Sequence, residues 1–529
     1  MQPPAVNSWN VMVTKSNDVD GTCPGTHGGF IIRRDPFTPL TRHRRLGALR
    51  DSIARNLLRP FRATRVVRRS EGPPSLLIMA VDTLRADHVG RNAPGGSLTP
   101  ALDRLRAEGT SFANVSSPAP WTLPAFTSAL TGVMPGVHGA GMTGTTRNMA
   151  FEVPRALPAD TVTLARHLGA QGYRTAAFHS NPFVTFGLAE SFQEHHYRNH
   201  ASADVAAGAL DWIRRHGDRP FFCFVLFNDP HEPTLPRPHH FCPLMSAAGH
   251  DPAAWADNDL RSLARWGGTE RAPHLGRVAV PLDAAARAAL DVKLALYAGA
   301  IASVDTTIDA VLRQLEAWNL DSTTLVSVIS DHGEEFLEHA AAADLWNHDP
   351  RDLRAIGHGH SLFQELLQVP WIVRGAGIPS GDVRRNHVSL CDVGPTLSDW
   401  LGTPALPLPD VGMQELKGIV QSRDGGSAPE TRTLLAEDIA YGPDLVAVRK
   451  GQWKLIAHRD GRPLSLFDLD ADPLEMIDVQ EANPGPLKEL GDVLTRWRAA
   501  TTRNDGDGGG WETTDEKILR QLRELGYAE

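Results

Sequence analysis

Thr122 stands in the stretch PAPWTLPAFTSALTGVMPGVHG (118–139), where prolines flank a turn that opens into an apolar helix. A hydroxyl just ahead of a helix suits a buried nucleophile. Other residues with chemistry follow apolar runs. Asp82 closes SLLIMAVD (75–82), Asp229 and His231 follow RPFFCFVLF, and Asp331-His332 follow STTLVSVIS. Taken singly, an aspartate at such a position caps a helix or makes a turn, and Asp-His-Gly is ordinary loop. Taken together, carboxylates leaving several buried strands are costly unless they hold a cation, which points to a hard-metal site.

The elements that would position these groups read as a doubly wound α/β fold. The runs at 75–82, 173–181, 219–233, 322–336 and 369–377 are short and apolar, as buried strands of a mostly parallel sheet are. Helical patterns alternate with them at 99–109, 161–172, 201–215, 282–318 and 392–401. Thr99-Pro100 reads as an N-cap with proline at the first helical position, and Gly109 as the stop. In such sheets ligands bind at the carboxyl ends of the strands, where Asp82 and Asp331 fall. Residues 234–283, rich in Pro, His and Gly, break the alternation and read as an insertion covering the site. After about 405, TRTLLAED, DLVAVRKG, QWKLIAHRDG and PLSLFDLDADP alternate as an antiparallel meander. The predicted organisation is an Arg-rich, largely disordered arm (1–74), a large domain (75–405), a small antiparallel-sheet α+β subdomain (406–504), and a linker with a terminal helix (505–529).

The 529 residues exceed one ordinary core, in keeping with a large and a small domain. The composition, 41% hydrophobic and 22% charged, is that of an ordinary globular protein, and a net charge of -9 argues against nucleic acid as partner. Between Arg33 and Arg69 twelve arginines face two acids. Such a segment is a solvated tail, a short packing helix or a basic arm for an acidic surface or membrane. No uninterrupted apolar run reaches the roughly 20 residues needed to span a bilayer, and no signal-peptide core is visible, so a cytoplasmic location is expected. Cys23, Cys223, Cys242 and Cys391 are widely spaced and read as free thiols.

Six segments, in order, resemble the sulfatases of the alkaline phosphatase superfamily across roughly 75–480: LLIMAVDTLRADHVG, LTPALDRLRAEGTSFANVSSPAPWTLPAFTSALTGVMPGVHG, YAGAIASVDTTIDAVLRQL, VISDHGEEFLEH, GHGHSLFQELLQVPWIVRGAGIP and VRKGQWKLIAHRDGRPLSLFDLDADPLE. The resemblance implies that Asp82, Asp331 and His332 bind a metal and that Thr122 is the nucleophile and also touches that metal. It implies that His231 contacts the transferred group or assists the leaving group. His360, with His358, lies near the place of an active-site lysine, and Asn181 falls where sulfatases carry a Lys/His pair. One divalent ion is expected, Ca²⁺ or Mn²⁺ before Mg²⁺ or Zn²⁺. The second-metal Asp-x-x-x-His pair is absent, because Pro233 is the fourth residue after Asp229.

The departures bear on the reaction. The frame that reads Cys/Ser-x-Pro-Ser-Arg in sulfatases reads Thr122-Leu123-Pro124-Ala125-Phe126 here, and Thr83 replaces the second aspartate of the metal pair. Threonine cannot become formylglycine, so a threonine sulfate has no hemiacetal exit, whereas a threonine phosphate can be hydrolysed by in-line attack of water. The expectation is therefore hydrolysis of phosphate or phosphonate esters of small molecules, glycans or lipids. The alternatives are a sulfatase proper, a phospho-headgroup transferase and a non-catalytic binding protein.

Overall fold

The computed structural model describes residues 72–501, apart from 143, 145, 150–151, 153, 198–200, 342–348 and 424–431. The Arg-rich arm, the linker and the terminal helix expected from sequence lie outside the described residues.

Strand β1 (Ser75–Val81) is buried along its whole length. Leu77, Met79 and Val81 enter one apolar core and Leu76, Ile78 and Ala80 another. This follows from the two-residue period of a strand: an unbroken apolar run serves a sheet covered on both faces. The chain continues through α1 (Pro100–Glu108), β2 (Thr110–Ser116), α2 (Thr122–Thr131), α3 (Leu164–Ala170), β3 (Arg174–His179), β4 (Glu194–Tyr197), α4 (Ser202–His216) and β5 (Phe221–Phe227). Next come α5 (Pro238–Ala247), α6 (Asp257–Ala264), α7 (Ala284–Ala317), β6 (Thr324–Ser330), β7 (Gln368–Arg374), β8 (Asp382–Ser389) and α8 (Val393–Trp400). The eight-stranded sheet has the order β8-β2-β7-β6-β1-β5-β3-β4. β6, β1, β5, β3 and β4 run parallel, while β7 is antiparallel to both β6 and β2. The apolar-run reading does not select β2 and β8, whose sequences TSFANVS and DVRRNHVS mix polar and apolar residues away from the sheet centre.

Thr99 does precede α1, but its hydroxyl accepts from Gly90 N–H (2.7 Å) instead of capping the helix. The orphan N–H groups of Ala101 and Leu102 donate to the buried Asp305 carboxylate of α7 at 3.0–3.1 Å. α7 is the one helix among the described residues long and apolar enough to cross a membrane, and 78% of that window is buried inside the fold. The 234–283 insertion contains α5 and α6, and Phe241, Met245, Trp255, Leu260 and Leu263 pack into the core beside α7. Cys223 and Cys391 are free, but Cys242 is disulfide-bonded. Wide spacing in sequence therefore misled the expectation of free thiols at Cys242, because it sets no limit on distance in the fold.

The second unit is a four-stranded antiparallel sheet, β9 (Thr433–Glu437), β10 (Leu445–Lys450), β11 (Trp453–His458) and β12 (Pro463–Asp468), with neighbours in that order. α9 (Pro484–Ala500) packs on it through Leu490, Val493, Leu494 and Trp497.

Candidate active site

Adjacent parallel strands β6 and β1 end together, so Asp331 and Asp82 emerge side by side. Thr83 follows with φ 58°, a left-handed conformation unusual for a β-branched residue. That turn points Thr83 N–H at Asp331 Oδ1 (3.3 Å), and Thr83 O accepts from the Tyr297 hydroxyl of α7 (2.5 Å). Gly333 is required beyond His332, because a Cβ there would lie 1.9 Å from Glu365 O. Thr122 is the first residue of α2, after Trp121 in an extended conformation. Its Oγ1 accepts from Asn181 Nδ2 (3.1 Å), and the hydroxyl lies beside the Asp331 carboxylate, where it favours the ionised form. The same Asn181 amide donates to Asp82 Oδ2 (2.7 Å), while Asn181 Oδ1 accepts from Phe183 N–H (2.9 Å). Asn181 thus joins the hydroxyl to the first carboxylate.

His332 Nε2 lies 3.3 Å from Asp331 Oδ2 and 3.6 Å from Asp82 Oδ1. All three atoms are buried and lack a hydrogen-bond partner. One ligand atom from each residue falls within 4.8 Å of the others. Burial pushes the Asp331 carboxyl up to about 7. Burial, aided by the Asp331 charge, pushes Asp82 up to about 6. Burial drives His332 down to about 4, so its imidazole is neutral and fit to ligate. Two buried carboxylates that resist ionising beside an unprotonated imidazole form a donor set for a divalent cation, whose charge would stabilise both anions. These residues fit a metal ion.

The histidines divide. His231 Nδ1 lies 2.7 Å from Glu232 O, and its ring packs edge-on against His358 at 4.8 Å. The His358 ring lies 4.4 Å from that of His332, and its Nδ1 is 3.1 Å from Glu334 Oε2. Between His358 and His360, Gly359 has φ 79°. His360 Nε2 is bound to Glu335 Oε2 (2.8 Å), and among the described residues no contact joins it to Thr122 or to the Asp82–Asp331–His332 group. Asp229 is occupied elsewhere, accepting from the backbone N–H (2.9 Å) and hydroxyl of Ser202 at the start of α4. His138 bridges Ser128 Oγ (3.0 Å) and Ala140 N–H (3.1 Å), ordering the chain after α2. Phe126, where the sulfatase frame has arginine, packs edge-on against Phe224 (5.5 Å) in the core and brings no charge to the site.

Residues beyond those singled out from sequence line the wall. Buried Glu334, two positions past His332, orients His358, and its place in DHGEE was the signal for it. Lys293 of α7 lies with its ammonium 3.9 Å from the centre of the Trp266 ring, contributed by the insertion. A Cβ on Gly357 would meet Glu334 Oε1 at 3.5 Å and Trp266 Nε1 at 3.9 Å, so the insertion reaches this wall. Arg351 stacks on Tyr441 at 3.6 Å and is fixed by Asp349 (2.7 Å).

The Sulfatase family model matches residues 74–403. The choline-sulfatase of Rhizobium meliloti is 23% identical over 490 residues, 81% of this chain and 86% of that protein. Human arylsulfatase K is 29% identical over a shorter stretch, 35% of this chain and 33% of its own length. Among solved structures, the phosphonate monoester hydrolase of Agrobacterium radiobacter aligns with TM-score 0.57 and 19% identity, covering 82% of this chain and 96% of its own. A protein solved with its substrate D-glucosamine-2-N,6-O-disulfate aligns with TM-score 0.61 and 16% identity, covering 82% and 99%. Those structural likenesses show the fold. With the family match over most of the described residues, they place this chain among the ester hydrolases of the alkaline phosphatase superfamily, as a member of the sulfatase family.

Proposed function

We propose that the protein hydrolyses phosphate or phosphonate mono- and diesters, with Thr122 as nucleophile and one divalent ion, Ca²⁺ or Mn²⁺, held by Asp82, Asp331 and His332. One observation carries the reading: the Thr122 hydroxyl is held by Asn181, which also binds Asp82, beside three buried ligand atoms that have no hydrogen-bond partner. A bound cation would supply Lewis-acid polarisation of the ester's oxygens and charge neutralisation. The chain's own groups do the rest. As Thr122 Oγ forms its bond to phosphorus, its proton is given up to water. Asn181 N–H keeps the oxygen in line. The bond to the leaving oxygen breaks, and His231, with Nδ1 anchored on Glu232 O, delivers a proton to it from Nε2. Water then attacks the phosphothreonine in line, giving its proton to His231, and Thr122 Oγ leaves with a proton from water, releasing inorganic phosphate from a monoester, a phosphate monoester from a diester, or the phosphonate.

The test is turnover by purified protein of p-nitrophenyl phosphate, bis-p-nitrophenyl phosphate, p-nitrophenyl phenylphosphonate and p-nitrophenyl sulfate, each with added Ca²⁺ or Mn²⁺. Phosphorus esters are expected to exceed the sulfate ester. Faster sulfate turnover would move the assignment to a sulfatase proper, and no turnover of any ester by wild type would overturn the catalytic reading.

A further inference from the structure

The nucleophile turn is gripped from the small antiparallel sheet. At the end of β9, Glu437 N–H donates to Pro118 O (2.9 Å), and Glu437 Oε1 accepts from Gly136 N–H (2.7 Å), so one residue ties both flanks of the nucleophile stretch. Asp438 follows, buried, with φ 66°. That left-handed turn directs its carbonyl at the Trp121 indole N–H (2.5 Å) and its carboxylate at the chain beyond α2. Asp438 Oδ1 accepts from Met142 N–H (3.2 Å) and Arg147 Nη1 (2.9 Å). A Cβ on Gly141 would lie 1.7 Å from Asp438 Oδ2, so only glycine lets the carboxylate seat.

Trp121 is the residue before Thr122, and its anchored indole meets Phe183 edge-on at 5.6 Å. Phe183 N–H is the group that holds Asn181 Oδ1 (2.9 Å), and Asn181 in turn holds Thr122 Oγ1. The grip on Trp121 therefore reaches the hydroxyl by two routes, through the backbone into α2 and through Phe183 and Asn181. We propose that Asp438 is a positioning residue: the small subdomain supplies none of the groups assigned to the chemistry but fixes, through Trp121, where Thr122 Oγ sits. The inference rests on Thr122 being the nucleophile, as proposed above.

Two substitutions separate the carboxylate from the backbone turn. Asp438→Asn keeps a side-chain oxygen acceptor and tolerates the left-handed conformation, whereas Asp438→Gly keeps the conformation and the carbonyl that receives Trp121 but removes the side-chain oxygens that anchor that carbonyl on Met142 N–H and Arg147. Displacement of a reacting atom by about 1 Å costs on the order of 10²-fold, so Asp438→Gly should lower kcat by about that factor with KM within about 3-fold, and Asp438→Asn should restore most of it. Amide hydrogen exchange provides a readout independent of turnover: in Asp438→Gly, peptides spanning 119–131 should exchange faster while those of β1 and β6 do not change. If wild type hydrolyses no ester, the functional reading fails, and the exchange arm still decides whether Asp438 holds the turn. Should Asp438→Gly not fold, Trp121→Phe removes the indole N–H together with part of the buried ring, and should give the same local exchange and a loss in kcat. Unchanged kcat in Asp438→Gly, exchange raised uniformly through the molecule, or Asp438→Asn as damaging as Asp438→Gly would overturn the proposal.

Discussion

Asn181→Leu is the most informative single change, because this side chain is fully committed to protein groups. Leucine keeps the volume but removes the N–H groups given to Asp82 Oδ2 (2.7 Å) and Thr122 Oγ1 (3.1 Å), and the oxygen that receives Phe183 N–H (2.9 Å). Asp82 already has one oxygen without a partner, so the loss strips its second oxygen of the amide donor. Leaving a buried acceptor and a buried N–H unpaired costs about 1–3 kcal/mol each, which predicts a stability loss of roughly 2–6 kcal/mol in thermal or urea unfolding. For catalysis the decisive loss is orientation of Thr122 Oγ, worth on the order of 10² in rate, or about 2.7 kcal/mol of barrier. Steady-state kinetics on the best phosphorus ester should therefore show kcat falling with KM nearly constant. An effect confined to KM would mean that Asn181 contacts the substrate, as its position in the sulfatase frame implies. Unchanged kcat and KM would refute the reasoning from geometry.

Thr122→Ala should lower turnover of every ester by on the order of 10³-fold or more, with Thr122→Ser retaining part of it, read by p-nitrophenol release. Asp331→Ala should abolish metal uptake, so elemental analysis would find about one divalent ion per wild-type chain and none in the variant. The added-metal rise in melting temperature should vanish with it. A pH effect is expected at the buried His339, whose Nδ1 lies 2.7 Å from Glu365 Oε1 and 3.4 Å from Glu335 Oε1. Burial opposes its charge, but the Glu365 carboxylate, with Glu335, outweighs that and holds the imidazolium well above its ordinary range. A raised folded-state value means stability that is complete below the unfolded value of about 6.5 and lost as pH rises toward the folded one. Melting temperature should fall between pH 7 and pH 10 in wild type, and His339→Gln should flatten that slope and lie below wild type at pH 7.

The large domain was legible in sequence because its signal is local. Runs such as SLLIMAV and TLVSVIS are apolar at every position, which a strand covered on both faces requires, and the two cores receive their alternate residues. Asp82 and Asp331 are marked by their place after such runs, and Thr122 by its turn. The same signal marks Asp229, which the fold spends on capping α4 at Ser202. Nothing local separates the two kinds of aspartate, because the difference is which neighbour the sheet order and the preceding helix bring alongside.

His358 and His360 show a finer version of that limit. They are two residues apart, yet one packs on His332 and the other binds Glu335. Asn181 could be placed near the site from the sequence frame, but its bond to Thr122 spans 59 positions and only the folded sheet supplies it. Asp438 lies 317 residues from Trp121. Sequence by itself determined the burial pattern of the strands and the chemical types offered at their ends, because both depend on period and near neighbours. Tertiary structure decided which of those groups lie together and which hold Thr122 in place, because long-range adjacency is a property of the packed chain alone.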